Sequence, residues 1–370
     1  MSAIPSDVYA RQLLPKQYGY PLFVPEPYDN LPEEYRARGA SIGDVGIIMP
    51  DGSFSFVFNI CIPADDPINC YGVPEGFEQV HVAPGDISLL KNMHKRHSDI
   101  SSASVRAKRI TVEGAVKENE ALNVPAGMNI EYSFTSASSE AAILTLPEGA
   151  ARQDLLKIGK FRRHALKYAK AWYEFVNGEL EREAANGSLY LVTGCDKSTT
   201  WGVASVSCSS ESNSLSLKFT AAQLVQAKAA YAYSWETYCP ATVRIGPESR
   251  GDSELYQNQC HFLRGFKLMV SAGLVFRGRA KVSPIVGGKG SHIPFMDGGS
   301  RSWSGRGSGK IGSGVAQSWS HSSPSPLKAS EEDTFANDIL LELVPGRTEV
   351  YHPLNTINEY LLAIVHMPPY

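Results

Sequence analysis

The sequence predicts an α+β fold, mainly antiparallel β hairpins with one long amphipathic helix at about 154–176. Three observations predict it. Apolar and polar residues alternate in short runs; a single long stretch carries helical spacing; and turn residues punctuate the runs at short intervals.

Residues 1–40 are rich in proline and aromatic side chains (Pro15, Tyr18, Tyr20, Pro21, Pro25, Pro27, Tyr28). Proline fixes its own backbone angle and lacks an N–H, so this composition predicts an extended arm on the surface of the body, ending in a short helical turn at 31–38. A hairpin follows, with strands at 45–49 and 53–61 around Pro50-Asp51-Gly52; Phe54, Phe56, Phe58 and Ile60 line one face of its second strand. Residues 63–100 carry many turn residues and little periodicity, with a small basic cluster at 91–97. Strand character returns at 104–116. Met128, Ile130, Tyr132 and Phe134 then alternate with Asn129, Glu131, Ser133 and Thr135, and a Ser-rich turn leads back through 141–146, which reads as a second hairpin.

In the helical stretch, Ile158, Phe161, Ala165, Ala169, Trp172 and Val176 recur on one side, with Lys160, Arg163, Lys167 and Lys170 on the other. Asn177-Gly178 supplies a C-terminal cap. Strands are expected next at 188–195, 201–209 and 214–220, then a brief helix at 221–230. Tyr231, Tyr233 and Trp235 restart the alternation, and Cys260, Phe262, Phe266, Leu268 and Val270 continue it. About half of residues 287–330 are Gly or Ser, a composition that cannot form a core and predicts a disordered loop. Apolar segments at 338–344 and 357–367 need burial. The expected organisation is therefore a 1–40 arm, a 41–286 β-rich body with a helical insert, a 287–330 loop, and 331–370 segments returning to the body.

Composition narrows the function. Hydrophobic residues at 43% and charged residues at 20% exclude wholesale disorder. A net charge of −3 argues against a dedicated nucleic-acid binder, so no nucleic-acid partner is expected. The first residues hold no long apolar run of a secretory signal, and no stretch approaches the roughly 18 apolar residues of a spanning helix. The expectation is a cytoplasmic protein made in soluble form. The six cysteines include no C-x-x-C pair and read as small buried hydrophobes in a reducing compartment.

Motifs that carry chemistry are few. Gly307-Ser308-Gly309-Lys310-Ile311-Gly312 spells G-x-G-x-x-G, but its flanks are Gly/Ser rather than a strand and a helix. Gly251-Asp252-Ser253 resembles the start of a hydrolase block, yet His352 and His366 have no Asp three residues before them. His94 and His97 would share a face only on a helix, and no further ligand lies nearby in sequence. His261 reads as a partly buried structural residue. No catalytic, cofactor or metal residues are assigned, and the reading leans away from an enzyme.

The basic helix face is the candidate site. Its plain reading is a solvated face; the sharper one is attraction to acidic lipid, at roughly 1 kcal/mol per Lys or Arg held near the surface. The pairs Tyr168/Trp172 and Tyr231/Trp235 read as core, with interfacial anchoring as the alternative.

Three segments, SIGDVGIIMPDGSFSFVFNIC at 41–61, NGSLYLVTGCDKSTTWGVA at 186–204 and NQCHFLRGFKL at 258–268, resemble an uncharacterised protein family of mushroom-forming fungi. That resemblance implies no activity. In the order of its elements (early hairpin, strand pairs, charged helix, an LYLVT strand at 189–193, a late CHFLRGFKL strand at 260–268) the chain is similar to the pore-forming half of the gasdermins. This second resemblance implies binding of acidic membrane lipid through Lys160, Arg163, Lys167 and Lys170, self-association, and insertion of Ser/Thr-bearing hairpins, here at 128–146 and 201–220. No inhibitory C-terminal domain is evident.

The expected function is a non-enzymatic intracellular β-rich protein acting as a gasdermin-like membrane-binding and pore-forming defence effector. The alternative is a soluble scaffold or ligand-binding module whose partner contacts the 1–40 arm and the 286–330 loop; the third reading is an enzyme of unrecognised type.

Overall fold

The computed structural model describes residues 4–112, 129–207, 215–224, 230–247, 256–270 and 339–344. Its elements are α1 (Pro5–Leu13), β1 (Tyr20–Pro21), α2 (Glu33–Arg38), β2 (Asp44–Ile48), β3 (Phe54–Asn59), β4 (Ile87–His94), β5 (Ser98–Ser101), β6 (Arg106–Val112), β7 (Asn129–Ser136), β8 (Glu140–Leu146), β9 (Ala150–Leu155), α3 (Ile158–Glu174), β10 (Leu189–Ser198), β11 (Trp201–Ser207), β12 (Leu215–Leu224), β13 (Ala230–Thr237), β14 (Ala241–Gly246), β15 (Gln259–Val270) and β16 (Ile339–Val344). The fold is α+β with antiparallel sheets, as the alternation predicts.

The largest sheet is organised around β10 and β15, which pair antiparallel along most of their length. The far side of β15 receives β1 and β16. The far side of β10 is divided: Leu189–Leu191 pair with β2, and Gly194–Lys197 pair with β9, which carries β4 on its outer side. Gly265 permits the close approach at the centre, since a Cβ there would lie 2.1 Å from the Leu191 carbonyl oxygen.

Helix α3 packs on this sheet through Phe161, Ala165, Ala169 and Trp172, against Val45, Phe58, Leu189, Leu191, Phe266 and Leu268. The Phe58 ring meets Trp172 edge-on at 5.6 Å, a favourable aromatic geometry. The helix begins at Ile158 rather than 154, because 150–155 is claimed as a strand by partners on both sides. Its end also differs from the expected cap. The helix runs on through a π turn at Phe175–Glu179, and the Asn177 side chain bonds both the N–H and the carbonyl of Ala184.

The remaining strands form two four-stranded sheets, β14-β11-β8-β5 and β13-β12-β7-β6. The sequence reading made hairpins of 128–146 and 201–220; the structure instead sends β7 and β8, and likewise β11 and β12, into different sheets. The pairings are β6 with β7, β7 with β12, and β12 with β13 in one sheet, and β5 with β8, β8 with β11, and β11 with β14 in the other. The lateral order is the same in both sheets. They are the two halves of one four-stranded ribbon, whose strands pass from one sheet to the other at corners near 102–105, 137–139 and 238–240.

The folded ribbon encloses Ile130, Tyr132, Phe134, Ala141, Ile143, Ala204, Val206, Leu217, Phe219 and Ala221. Sheet β13-β12-β7-β6 keeps the two-residue period: these side chains point inward, while Glu131, Ser133, Lys218, Thr220 and Glu236 lie on the other face. Sheet β14-β11-β8-β5 is apolar on both faces. Its second face, Ile100, Ala142, Leu144, Leu146, Trp201 and Val203, packs against Tyr9, Leu13, Phe23 and Phe262. Proline and aromatic content concealed this burial. In place of an extended surface arm, residues 5–38 form two helices and bury Val8, Tyr9, Leu13, Leu22, Phe23, Leu31 and Tyr35.

Two further expectations change. Residues 221–224 continue β12, and β13 begins at Ala230, so no helix forms at 221–224; the ladder to β7 and β13 outweighs the helix propensity of alanine. Residues 87–101, which show little periodicity, supply β4 and β5. Strand β16 pairs with β15, whereas the 287–330 stretch and the 357–367 segment lie outside the described residues.

Candidate functional site

On α3 the apolar stripe faces the sheet and the basic side chains face away from it. The chain between β3 and β4 crosses this basic face. Phe77 and Val80 anchor that segment in the helix–sheet core, which brings Glu78 and His81 over the helix. Lys167 Nζ donates to Glu78 Oε2 at 3.0 Å, and the Tyr168 hydroxyl donates to the same oxygen. Lys160 donates to the His81 carbonyl, and Lys170 pairs with Glu174 one turn on at 3.6 Å. Arg163 makes no hydrogen bond or ion pair among the described residues. Hydrogen bonding to Tyr168 and Glu78 pushes Lys167 up to about 12. Burial pushes His164 down to about 4, leaving a neutral ring in the middle of the basic face at pH 7.

All four predicted residues therefore share one face, but only Arg163 is unengaged. Exposed pairs of this kind are held weakly against solvent, so a competing anion can displace them. Trp172 is buried in the core and Trp235 packs against the ribbon interior, as the core reading expects of these two; Tyr168 is half-buried with its hydroxyl on the basic face, and the side chain of Tyr231 lies outside the described residues.

A second polar constellation was not recognised in the sequence. Asp196 on β10 is fully buried, yet its carboxylate receives the His94 Nε2–H at 2.7 Å, Arg152 through two nitrogens at 2.9 Å each, and Arg264 at 2.8 Å. Arg264 also pairs with Asp154 at 2.5 Å and donates to the carbonyls of Tyr18 and Gln153. Burial works to raise the Asp196 pKa, but His94, Arg152 and Arg264 outweigh it and hold the carboxyl at about 2. The cluster joins β4, β9, β10, β15 and the N-terminal segment. The signal was weak: Asp196 and Arg264 lie in strands with apolar runs on one side, LYLV before Asp196 and CHFL before Arg264, but Lys197 and Lys267 in the same strands dilute it.

Chemistry at this cluster is constrained by its packing. The cleft beside it, lined by Tyr20, Ile48, Tyr190, Leu263 and Arg264, reaches neither His94 nor Asp196. His261 is fully rather than partly buried; its Nε2 lies 2.7 Å from the Ser198 hydroxyl, its Nδ1 has no hydrogen-bond partner among the described residues, and burial pushes it down to about 3. His94 and His97 are not on a helix: His94 ends β4 and is bound to Asp196, while His97 occupies the following turn. Among the described residues no group of three or more His, Cys, Asp or Glu side chains is placed to hold a metal ion. Cys195 and Cys260 are buried as expected, whereas Cys70 is exposed in a loop. The motifs at 250–253 and 307–312, His352 and His366 lie outside the described residues.

No protein-family model matches the chain, and no curated protein matches it. No helix among the described residues is long and apolar enough to cross a membrane, which leaves crossing by strands open.

Proposed function

We propose that the protein is a gasdermin-like, membrane-perturbing β protein whose inserting element is the folded four-stranded ribbon. One observation carries this reading: the common lateral order of the two sheets, which makes them a single ribbon of two adjacent hairpins. Straightened at its corners, the ribbon offers strands 129–146 and 201–224, each longer than the roughly 9–11 residues that a membrane-crossing strand needs. Its enclosed apolar residues become available to lipid. On the other face the Ser, Thr and charged positions of β13-β12-β7-β6 become available to water, whereas β14-β11-β8-β5 presents there the apolar residues that it packs on the body, Ala142, Leu144, Trp201 and Val203 among them. The inserting hairpins are thus β5–β6 with β7–β8, and β11–β12 with β13–β14, in place of those read from the sequence.

Straightening has a requirement. In the inner half Ala141 pairs with Val206, a register that would set Ser136 opposite Glu211; in the outer half Ser136 pairs with Leu215. The corner therefore carries surplus residues, which an extended strand has to expel as a bulge.

The basic face of α3 is the proposed point of contact with acidic lipid. Dye release from liposomes of acidic and of neutral lipid tests the proposal. Release is expected from acidic vesicles only. Replacing Lys160, Arg163, Lys167 and Lys170 together by Glu is expected to abolish it, and Arg163→Glu alone to weaken it more than Lys170→Glu, because Lys170 is already paired. Acidic vesicles that stay intact at high protein concentration would overturn the proposal.

A soluble scaffold is the second reading, favoured by the cover that Glu78, His81 and Glu174 provide over three of the four basic residues. It predicts neither binding nor leakage with either lipid.

A further inference from the structure

Helix α1 lies across the second face of the inner sheet, contacting β5, β8 and β11, three of its four strands. Val8, Tyr9, Ala10 and Leu13 are buried beneath it. Polar ties fix both ends. The Ser205 hydroxyl on β11 donates to the Pro5 carbonyl at 2.7 Å, and Ser6 donates to the Pro50 carbonyl at 2.5 Å. Near the other end, Arg11 binds both carboxylate oxygens of Glu140 at 2.7 and 2.8 Å, and Gln12 donates to Glu140 at 3.3 Å. Glu140 opens β8, beside the corner between β7 and β8.

We infer that α1 is an autoinhibitory strap that holds the ribbon folded. The inference rests on the proposed function and adds its regulation. Strands β8 and β11 cannot move away from the body while one helix is packed across both and tied to each. The strap is built to let go. A helix of nine residues with no side-chain cap at its start is marginal without packing partners, so it loses its structure once undocked. Its largest buried side chain, Tyr9, keeps a hydroxyl with no hydrogen-bond partner among the described residues, which weakens the docked state. The Arg11–Glu140 pair is largely solvent-exposed on the Arg11 side and open to competition by other ions.

The test uses the full chain with Cys70→Ser, and places Gln12→Cys and Glu140→Cys under a short, reducible cross-linker. Two readouts are taken: amide hydrogen exchange of β8 and β11 in solution, and dye release from acidic liposomes. Tying the strap is expected to slow release at least about tenfold and to protect both strands, with full recovery on reduction. Separately, Arg11→Glu is expected to speed release and exchange about two- to fivefold, the size of an exposed ion pair. Adding Glu140→Arg is expected to restore both, which separates loss of this pair from general damage. Leakage and exchange that are equal with the strap tied and free would overturn the inference while leaving the pore reading intact. If no form leaks, the pore reading fails, and the strap stands or falls on whether the cross-link protects β8 and β11.

Discussion

His261 shows how one buried ring makes the whole protein sensitive to pH. An unfolded histidine takes up a proton near pH 6.5, whereas His261 in the fold does so only near 3. Below 6.5 the unfolded chain binds the proton and the folded chain does not, so stability is fully present above 6.5 and falls as pH drops toward 3. At about 1.4 kcal/mol per pH unit, His261 costs roughly 2 kcal/mol between pH 6.5 and 5. Two other buried carboxyls act elsewhere: the contribution of Asp196 is lost as pH falls from about 3.8 toward 2, and Asp44, raised by burial against the pull of Arg38, favours folding in acid. Urea unfolding at pH 7 and pH 5 should therefore show a smaller loss in His261→Gln than in the parent, by about 2 kcal/mol. An equal loss in both proteins would remove His261 as the source.

At the scale of elements, the β10–β15 pair bears a severe steric demand. Gly265→Ala would put a methyl carbon against the Leu191 carbonyl, which neither backbone can yield without parting the strands. A loss of about 1–3 kcal/mol is expected, seen as a lower urea midpoint with an unchanged slope. A neutral result would mean that the two strands are less closely joined than their ladder indicates. Individual elements were legible where one physical signal dominated. The 3.6-residue stripe marked α3, because it buries one face; the Phe54–Phe56–Phe58 alternation marked β3, but these side chains do not share one face, since a register shift against β2 leaves Phe54 and Phe56 in one cluster and Val57, Phe58 and Ile60 in another. Residues 5–13 hid a helix because Pro5 lies in its first turn, where proline is tolerated, and the prolines that follow suggested extension. Strand β4 hid because it is an edge strand with exposed Leu89 and Leu90, which breaks the inside–outside alternation. The basic site was legible as a helix face; its occupation by Glu78 and His81 was not, because a loop far along the chain supplies both.

On the scale of the whole molecule, neighbours in sequence were not neighbours in sheets. Alternation identified 129–136 and 141–146 as strands, but nothing in a two-residue period says whether consecutive strands pair or turn a corner. The cluster of Tyr9, Leu13, Phe23, Leu144, Trp201 and Phe262 joins the ribbon to the large sheet. Unfolding should consequently be a single transition, with far-UV circular dichroism and tryptophan fluorescence superimposing in urea; separate midpoints would show the ribbon melting apart from the body. The strand order β1-β15-β10-β2-β3 also has a consequence for synthesis on the ribosome. Strands β2 and β3 emerge early, yet their lateral partner β10 follows about 130 residues later, and β15 later still. At roughly 5–20 residues per second, the nascent chain carries an incomplete sheet for many seconds. The apolar side chains Val45, Phe56 and Phe58 wait through that interval, so the growing chain, more than the finished protein, is the form that most needs a chaperone.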